Sequence, residues 1–119
     1  MVNQVNLGAK IVSDISLRNT KNGTPVADFR VLHKNSKQSN PLFIDIEVWN
    51  DEARRVYETV KRGDTVVVVG ELRRDVWLAK DDSKQRSKIK ITALRVVVTE
   101  EARIAPDQNF IDNNESAAV

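Results

Sequence analysis

The sequence predicts an all-β fold: a five-stranded Greek-key barrel with one short α-helix between its third and fourth strands, followed by a flexible C-terminal tail. Three observations lead there. Five segments alternate apolar and polar residues or run as short apolar stretches, one segment between them switches to helical spacing, and the periodicity ends after Thr99. A chain of 119 residues with 40% apolar and 30% charged residues, four Gly and three Pro has room for one folded domain and the composition of a globular one. The expected division is a barrel domain over residues 1–99 and an acidic tail over 100–119.

Residues 2–12 place Val5, Leu7, Ala9 and Ile11 on one side and Asn6, Gly8 and Lys10 on the other, and the pattern continues through Ile15 and Leu17. At Lys21-Asn22-Gly23 the Asn-Gly pair offers the positive backbone angles of a tight hairpin turn. The second strand, about 24–33, sets Ala27, Phe29 and Val31 against Asp28 and Arg30, with Pro25 near its start, where a missing donor is tolerated. A polar loop from His33 to Pro41 carries Lys34 and Lys37. The third strand, LFIDIEVW over 42–49, has the clearest alternation: Ile44, Ile46 and Val48 against Phe43, Asp45, Glu47 and Trp49.

The period then changes. Asn50 or Asp51 can cap a helix whose Ala53, Val56, Tyr57 and Val60 recur at helical spacing, and Gly63 is placed to end it. Residues 65–77 return to strand character, with Gly70 marking a bulge or sharp bend that lets one long strand join two parts of a curled sheet. A polar hairpin loop over 79–87 carries Lys80, Lys84 and Arg86, and the last strand covers about 88–99. Five strands with their one helix in this place fit a small barrel of the oligonucleotide/oligosaccharide-binding type, the OB-fold.

Composition excludes several chemistries. Without Cys there is no disulfide framework, thiolate cluster or thiol nucleophile, and one histidine, His33, cannot alone form a His-based metal site. Gly8, Gly23, Gly63 and Gly70 form neither a G-x-G-x-x-G turn nor a phosphate-cradling loop. Asp45 and Glu47 share a strand face, yet salt bridging to neighbouring Arg explains them better than an acid/base pair or a magnesium-dependent nuclease site. His33, beside Lys34, reads as solvated or phosphate-contacting. The expectation is a protein that is not an enzyme and has no metal and no cofactor. No apolar stretch is long enough to span a membrane and no leader pattern opens the sequence, so a soluble, cytoplasmic protein is expected, with a phage-infected host or an organelle as the alternatives.

Charge divides the chain. Residues 1–99 hold 18 Lys and Arg against 12 Asp and Glu, whereas residues 100–119 hold one against five. A basic body suits an anionic partner. Phe29 and Tyr57 fall on apolar faces and belong to the core, but Phe43, Trp49 and Trp77 lie beside Asp45, Glu47 and Asp75, which favour water. Such rings either cover a barrel end or subunit interface, or stack on unpaired nucleobases. The second use explains the cations near them: Arg73 and Arg74 before Trp77, Arg30 on the polar face of its strand, and Lys34, Lys37, Lys80, Lys84 and Arg86 in two projecting loops, all able to hold phosphates.

With VNQVNLGAKIVSDISLR and its turn KNGTPVADF, the segment FIDIEVWNDEARRVYETVKRGDTVVVVGELRRDVW and the closing RVVV, the chain resembles the bacterial-type single-stranded DNA-binding proteins over about residues 2–98. The resemblance implies a Greek-key barrel that assembles as a homotetramer and wraps single-stranded DNA without sequence specificity or catalysis, in replication, recombination and repair. It puts Phe43, Trp49 and Trp77 on base-stacking positions, Arg62 and Arg73 on basic contact positions, and Asn3 near the groove. A homodimer is the smaller alternative, expected because an open edge at the first strand invites strand-to-strand association.

Three departures qualify the match. The loop from His33 to Pro41 is short and has no aromatic ring, so a fourth stacking position is absent. Asp45, Glu47 and Asp75 bring negative charge to the groove and should weaken phosphate binding locally. The chain ends NNESAAV rather than in an acidic tip closed by Pro-Phe, with Phe110 between Asp107 and Asp112 as an imperfect echo, so recruitment of replication proteins through a standard tip is not expected. The competing reading is a barrel for protein contacts, such as a primosome-type accessory subunit with weak DNA binding.

Overall fold

A computed structural model describes residues 1–34 and 40–99. Lys37 and the residues from 100 onward, which include Phe110 and the acidic segment, lie outside the described residues. The alternating segments become strands β1 (Val5–Ile11), β2 (Ser16–Asn19), β3 (Pro25–His33), β4 (Leu42–Trp49), β5 (Thr65–Leu78) and β6 (Gln85–Val98), with the helix α1 (Asn50–Thr59) between β4 and β5.

The first expected strand is therefore two. At the break, the Val12 N–H donates to Arg30 O at 2.9 Å and the Ser13 hydroxyl accepts the Arg30 N–H at 2.8 Å, so a side chain completes the pairing that backbone would otherwise make. The strands are ordered β1-β5-β6-β4-β3-β2, and a further β1–β3 pairing at Lys10 and Ile11 closes the barrel. All ladders are antiparallel except β4–β6, where Asp45–Val48 run parallel to Lys90–Ala93. Inside the barrel lie Ile11, Phe29, Val31, Ile46, Val48, Val66, Val68, Ile91 and Val96, with Ala53, Val56 and Val60 from the helix region. On β1, β3 and β4 this interior matches the apolar parity expected of the strand.

Gly70 stands where the register shifts. Val69 is opposite Arg95 and Gly70 is opposite Ala93, so the extra residue is Leu94 on β6. A Cβ on Gly70 would lie 2.2 Å from Thr92 O and 2.8 Å from Ala93 Cα, both backbone atoms, so no side chain fits there. Up to Gly70, β5 also pairs with β1, and β6 pairs with β4 over Lys90–Ala93; beyond Arg73 and Lys90 the two continue as a two-stranded arm.

Some local expectations change. Only Gly23 of the Asn22-Gly23 pair takes a positive φ, of 81°, and its N–H donates to Thr20 O at 2.9 Å, so Lys21 and Asn22 form the turn and Gly23 follows it. No side chain caps α1; Trp49 occupies the cap position and Asn50 has φ 62°. The helix ends at Thr59, before Gly63, which at φ 98° serves the next turn and donates its N–H to Ile11 O at 2.8 Å. Tyr57, expected in the core, is 50% exposed, because the ten-residue helix buries only Ala53 and Val56. The β5–β6 hairpin ladder runs on to Leu78 and Gln85, which shortens the expected loop and puts Arg86 on a strand. His33, where the expected strand ends and the expected loop begins, is the last residue of β3, and its Nδ1–H donates to Gly8 O at 2.7 Å. No described helix is long and apolar enough to cross a membrane.

Candidate nucleic-acid interface

The register assembles one outer face from β3, β4, β6 and β5. Asp28 stands opposite Glu47, Glu47 opposite Thr92, and Thr92 opposite Glu71. In the next row Arg30 faces Asp45, Asp45 faces Lys90, and Lys90 faces Arg73. Further along the arm Lys88 pairs with Asp75 and Arg86 with Trp77. Phe43 and Trp49 close the two ends of this face on β4, about 20 Å apart for six residues of extended chain. Trp77 lies at the Phe43 end, one side-chain row past Asp75.

Phe43 is 51% exposed and Trp77 47% exposed, outside the core. Trp49 is half-buried at the start of α1, and its Nε1–H donates to Glu47 Oε1 at 2.8 Å, which fixes the ring's orientation. Arg30 lies with its guanidinium 5.9 Å from the Phe43 ring centroid. Over the charged rows of this face lies an open groove of about 360 Å³, lined among others by Ser16, Arg30, Asp45, Glu47, Asp75 and Lys90 and by none of the three rings.

Ion pairs organise the groove floor. Lys90 Nζ reaches Glu47 Oε2 at 2.9 Å and Asp75 Oδ2 at 2.6 Å, and Arg18 reaches Asp28 at 2.9 Å and Glu47 at 3.4 Å. Asp45 holds Arg30 at 3.1 Å through one oxygen and Lys88 through the other. Burial pushes the Glu47 carboxyl up, but donation by Lys90 and Trp49 and the nearby Lys90 and Arg18 charges outweigh it and hold the group below the ordinary range. The Lys90 hydrogen bond likewise lowers Asp75. Burial works to lower Lys90, and its bonds to Asp75 and Glu47 reverse that and raise it. The salt bridging expected of Asp45 and Glu47 is thus present, with lysines taking part beside the arginines. Among the described residues no group of three or more His, Asp or Glu is placed to hold a metal ion.

The other expected site residues are distributed unevenly. Arg30, Arg73 and Arg86 share the face with the rings by strand parity, Arg86 being paired to Asp82 at 2.8 Å. Arg74, opposite Ile89, has the reverse parity and sits on the other side of the arm with the exposed Leu72 and Val76. Lys80 and Lys84 belong to the arm's tip, Lys34 follows β3, and Arg62 lies in the turn after α1, 4.0 Å from Asp14 at the groove's edge. Asn3 spends its amide on backbone: Nδ2 donates to Leu72 O at 2.8 Å and Oδ1 accepts the Leu72 N–H at 2.9 Å, extending the β1–β5 ladder beyond Gly70. Arg18, Lys88 and Lys90, central to the face, were not among the expected contacts. The alternation of Lys88, Lys90 and Thr92 put them on one side of a strand, but only the parallel β4–β6 pairing sets that side between the rings.

Comparison with known proteins agrees with this architecture. The Single-strand binding protein family model matches residues 2–99. The single-stranded DNA-binding protein of Thermus thermophilus is 30% identical over 98 residues, covering 80% of this chain and 36% of that protein. Those of Treponema pallidum and Borreliella burgdorferi are 29% and 25% identical, covering 80% and 76% of this chain and 56% and 64% of theirs. The chain thus spans between about a third and two thirds of the length of these curated relatives. The crystal structure of the SSB domain of a Synechococcus sp. protein superimposes with a TM-score of 0.66 at 23% identity, over 82% of this chain and 96% of that one, and shows the shared barrel fold. With its barrel, its exposed rings and a family match over nearly all the described residues, the chain belongs to the single-strand binding protein family.

Proposed function

We propose that the chain binds single-stranded DNA without reading its sequence and without catalysing a reaction, keeping strands unpaired and protected during replication, recombination and repair. The observation that carries this reading is the exposure of Phe43 and Trp77, with Trp49, on one face outside the core. Every base has a flat π-face, so stacking on such rings contributes about 1–3 kcal/mol per base, the general range for proteins of this kind, whatever the sequence. Arg73 on the same face, Lys80 and Lys84 at the arm's tip, Lys34, and Arg62 at the groove's edge are the cations for phosphates in this reading; Asn3 positions the arm. Names of the relatives point to the same ligand.

Assembly as a homotetramer, or as a homodimer, belongs to the same proposal. The β1–β3 ladder covers only Lys10 and Ile11, which leaves the Val5–Ala9 stretch of that edge without a ladder partner, as strand-to-strand association requires. The test is titration with oligo-dT at low salt while following Trp49 and Trp77 fluorescence, with duplex DNA as the control and light scattering for mass. Single strands should quench the fluorescence and duplex should not. Absence of quenching would refute the reading. A second reading, a protein-contact barrel with weak DNA binding, draws support from the carboxylates paired to cations between the rings; it calls for little quenching and a dimeric mass.

A further inference from the structure

Two kinds of ion pair lie between the rings. The Glu47 and Lys90 side chains are only 8% and 14% exposed, and Glu47 also holds Arg18 and Trp49, so this pair is part of the floor. The Asp45 pairs differ. Asp45, Arg30 and Lys88 side chains are 31%, 54% and 45% exposed, and the Asp45 carboxylate divides its two oxygens between the two cations. One of those cations is the Arg30 guanidinium, over the Phe43 ring.

We propose that Asp45 is an internal competitor for DNA phosphate. Resting on the single-strand reading above, it names the residue that sets affinity and salt response at that site. A carboxylate and a phosphate present the same kind of anionic oxygen to Arg and Lys. Asp45 therefore occupies Arg30 and Lys88, the cations nearest a base stacked on Phe43, and a strand crossing that ring must take them from it.

The thermodynamic signature is specific. A phosphate that meets a free cation releases the counterions condensed on the nucleic acid, which steepens the fall of log K with log salt by about 0.7 per contact on single strands. A phosphate that takes a cation from Asp45 leaves a bare carboxylate, which draws a cation back from solution and cancels part of that release. Asp45 thus weakens binding and flattens its salt dependence together. A residue that merely oriented Arg30 would do the opposite, since its loss would scatter the contact.

The experiment is an oligo-dT titration of the full chain at several salt concentrations, comparing wild type with Asp45→Asn, a second neutral variant Asp45→Ser, and a charge control, Glu58→Gln, on exposed α1 surface. Thermal unfolding of each reports the fold. Both Asp45 variants should bind about fivefold tighter at low salt, the effect of removing one like charge about 4 Å from a phosphate in water. Their salt slopes should steepen by up to about 1.4 for the two freed cations. Glu58→Gln should shift neither quantity comparably, and Arg30→Ala with Lys88→Ala should remove most of the gain. Unchanged or weaker binding by folded Asp45 variants, with wild type still quenched by oligo-dT, overturns this inference alone; no quenching of any protein overturns the single-strand reading and this inference with it.

Discussion

Trp49 and Trp77 carry the same ring in different settings, and their substitutions should separate binding from stability. Trp77 is 47% exposed on the arm, so Trp77→Ala should cost about 1–3 kcal/mol of oligo-dT affinity with little change in the thermal unfolding midpoint. Trp49 also donates to the nearly buried Glu47, so Trp49→Ala removes a partner from a carboxylate already taken out of water and should lower both affinity and the unfolding midpoint. Titration and thermal unfolding of both variants check the contrast. The sequence exposed these rings because period-two parity set them beside Asp45, Glu47 and Asp75. It did not show what neutralises those acids, since Lys88 and Lys90 lie 43 residues further along the chain and reach Asp45 and Glu47 only through a non-local pairing. Arg73 and Arg74, adjacent in one strand, fall on opposite sides of the arm by period-two parity alone, so only Arg73 shares the face with the rings.

Strands and helix were legible where local pattern and burial agree, and misread where a distant contact decides. The break after β1 depends on Ser13 meeting Arg30, and the helix end depends on Val60, which takes an extended conformation and is buried, overriding the stop signal of Gly63. What holds α1 to the barrel is also non-local. Glu52 Oε2 accepts the Val96 N–H at 3.0 Å, while Arg55 donates both to Glu52 and to Val96 O. Donation by Arg55, helped by Val96 and opposed by partial burial, holds the Glu52 carboxyl below its ordinary value of about 4.3. A carboxyl lowered on folding stabilises the fold fully above that unfolded value, and the contribution disappears as pH falls through the folded one. Glu52→Gln should therefore lose about 1–3 kcal/mol at pH 7, with the gap to wild type closing below about pH 4. Unfolding midpoints measured from pH 3 to 7 test this; a gap that stayed constant across that range would mean the carboxylate charge contributes nothing.

At the scale of the molecule, the excess of 18 basic over 12 acidic residues in 1–99 overstates what a nucleic acid would meet. Arg18, Arg30, Arg86, Lys88 and Lys90 are all tied to carboxylates on or beside the ring-bearing face, and Arg62 is within 4.0 Å of Asp14. Lys34, Arg73, Lys80 and Lys84 have no ion pair among the described residues, and they sit toward the Phe43 and arm end rather than along the whole groove. Strand binding should then depend on aromatic stacking more than on phosphate contacts. Four free cations, each contributing about −0.7, give a slope of log K against log salt near −3 for oligo-dT. Titrations between 50 and about 400 mM salt measure it directly. A slope steeper than about −5 would mean that phosphates also capture the paired cations at full counterion release, and the carboxylates between the rings would then no longer be effective competitors.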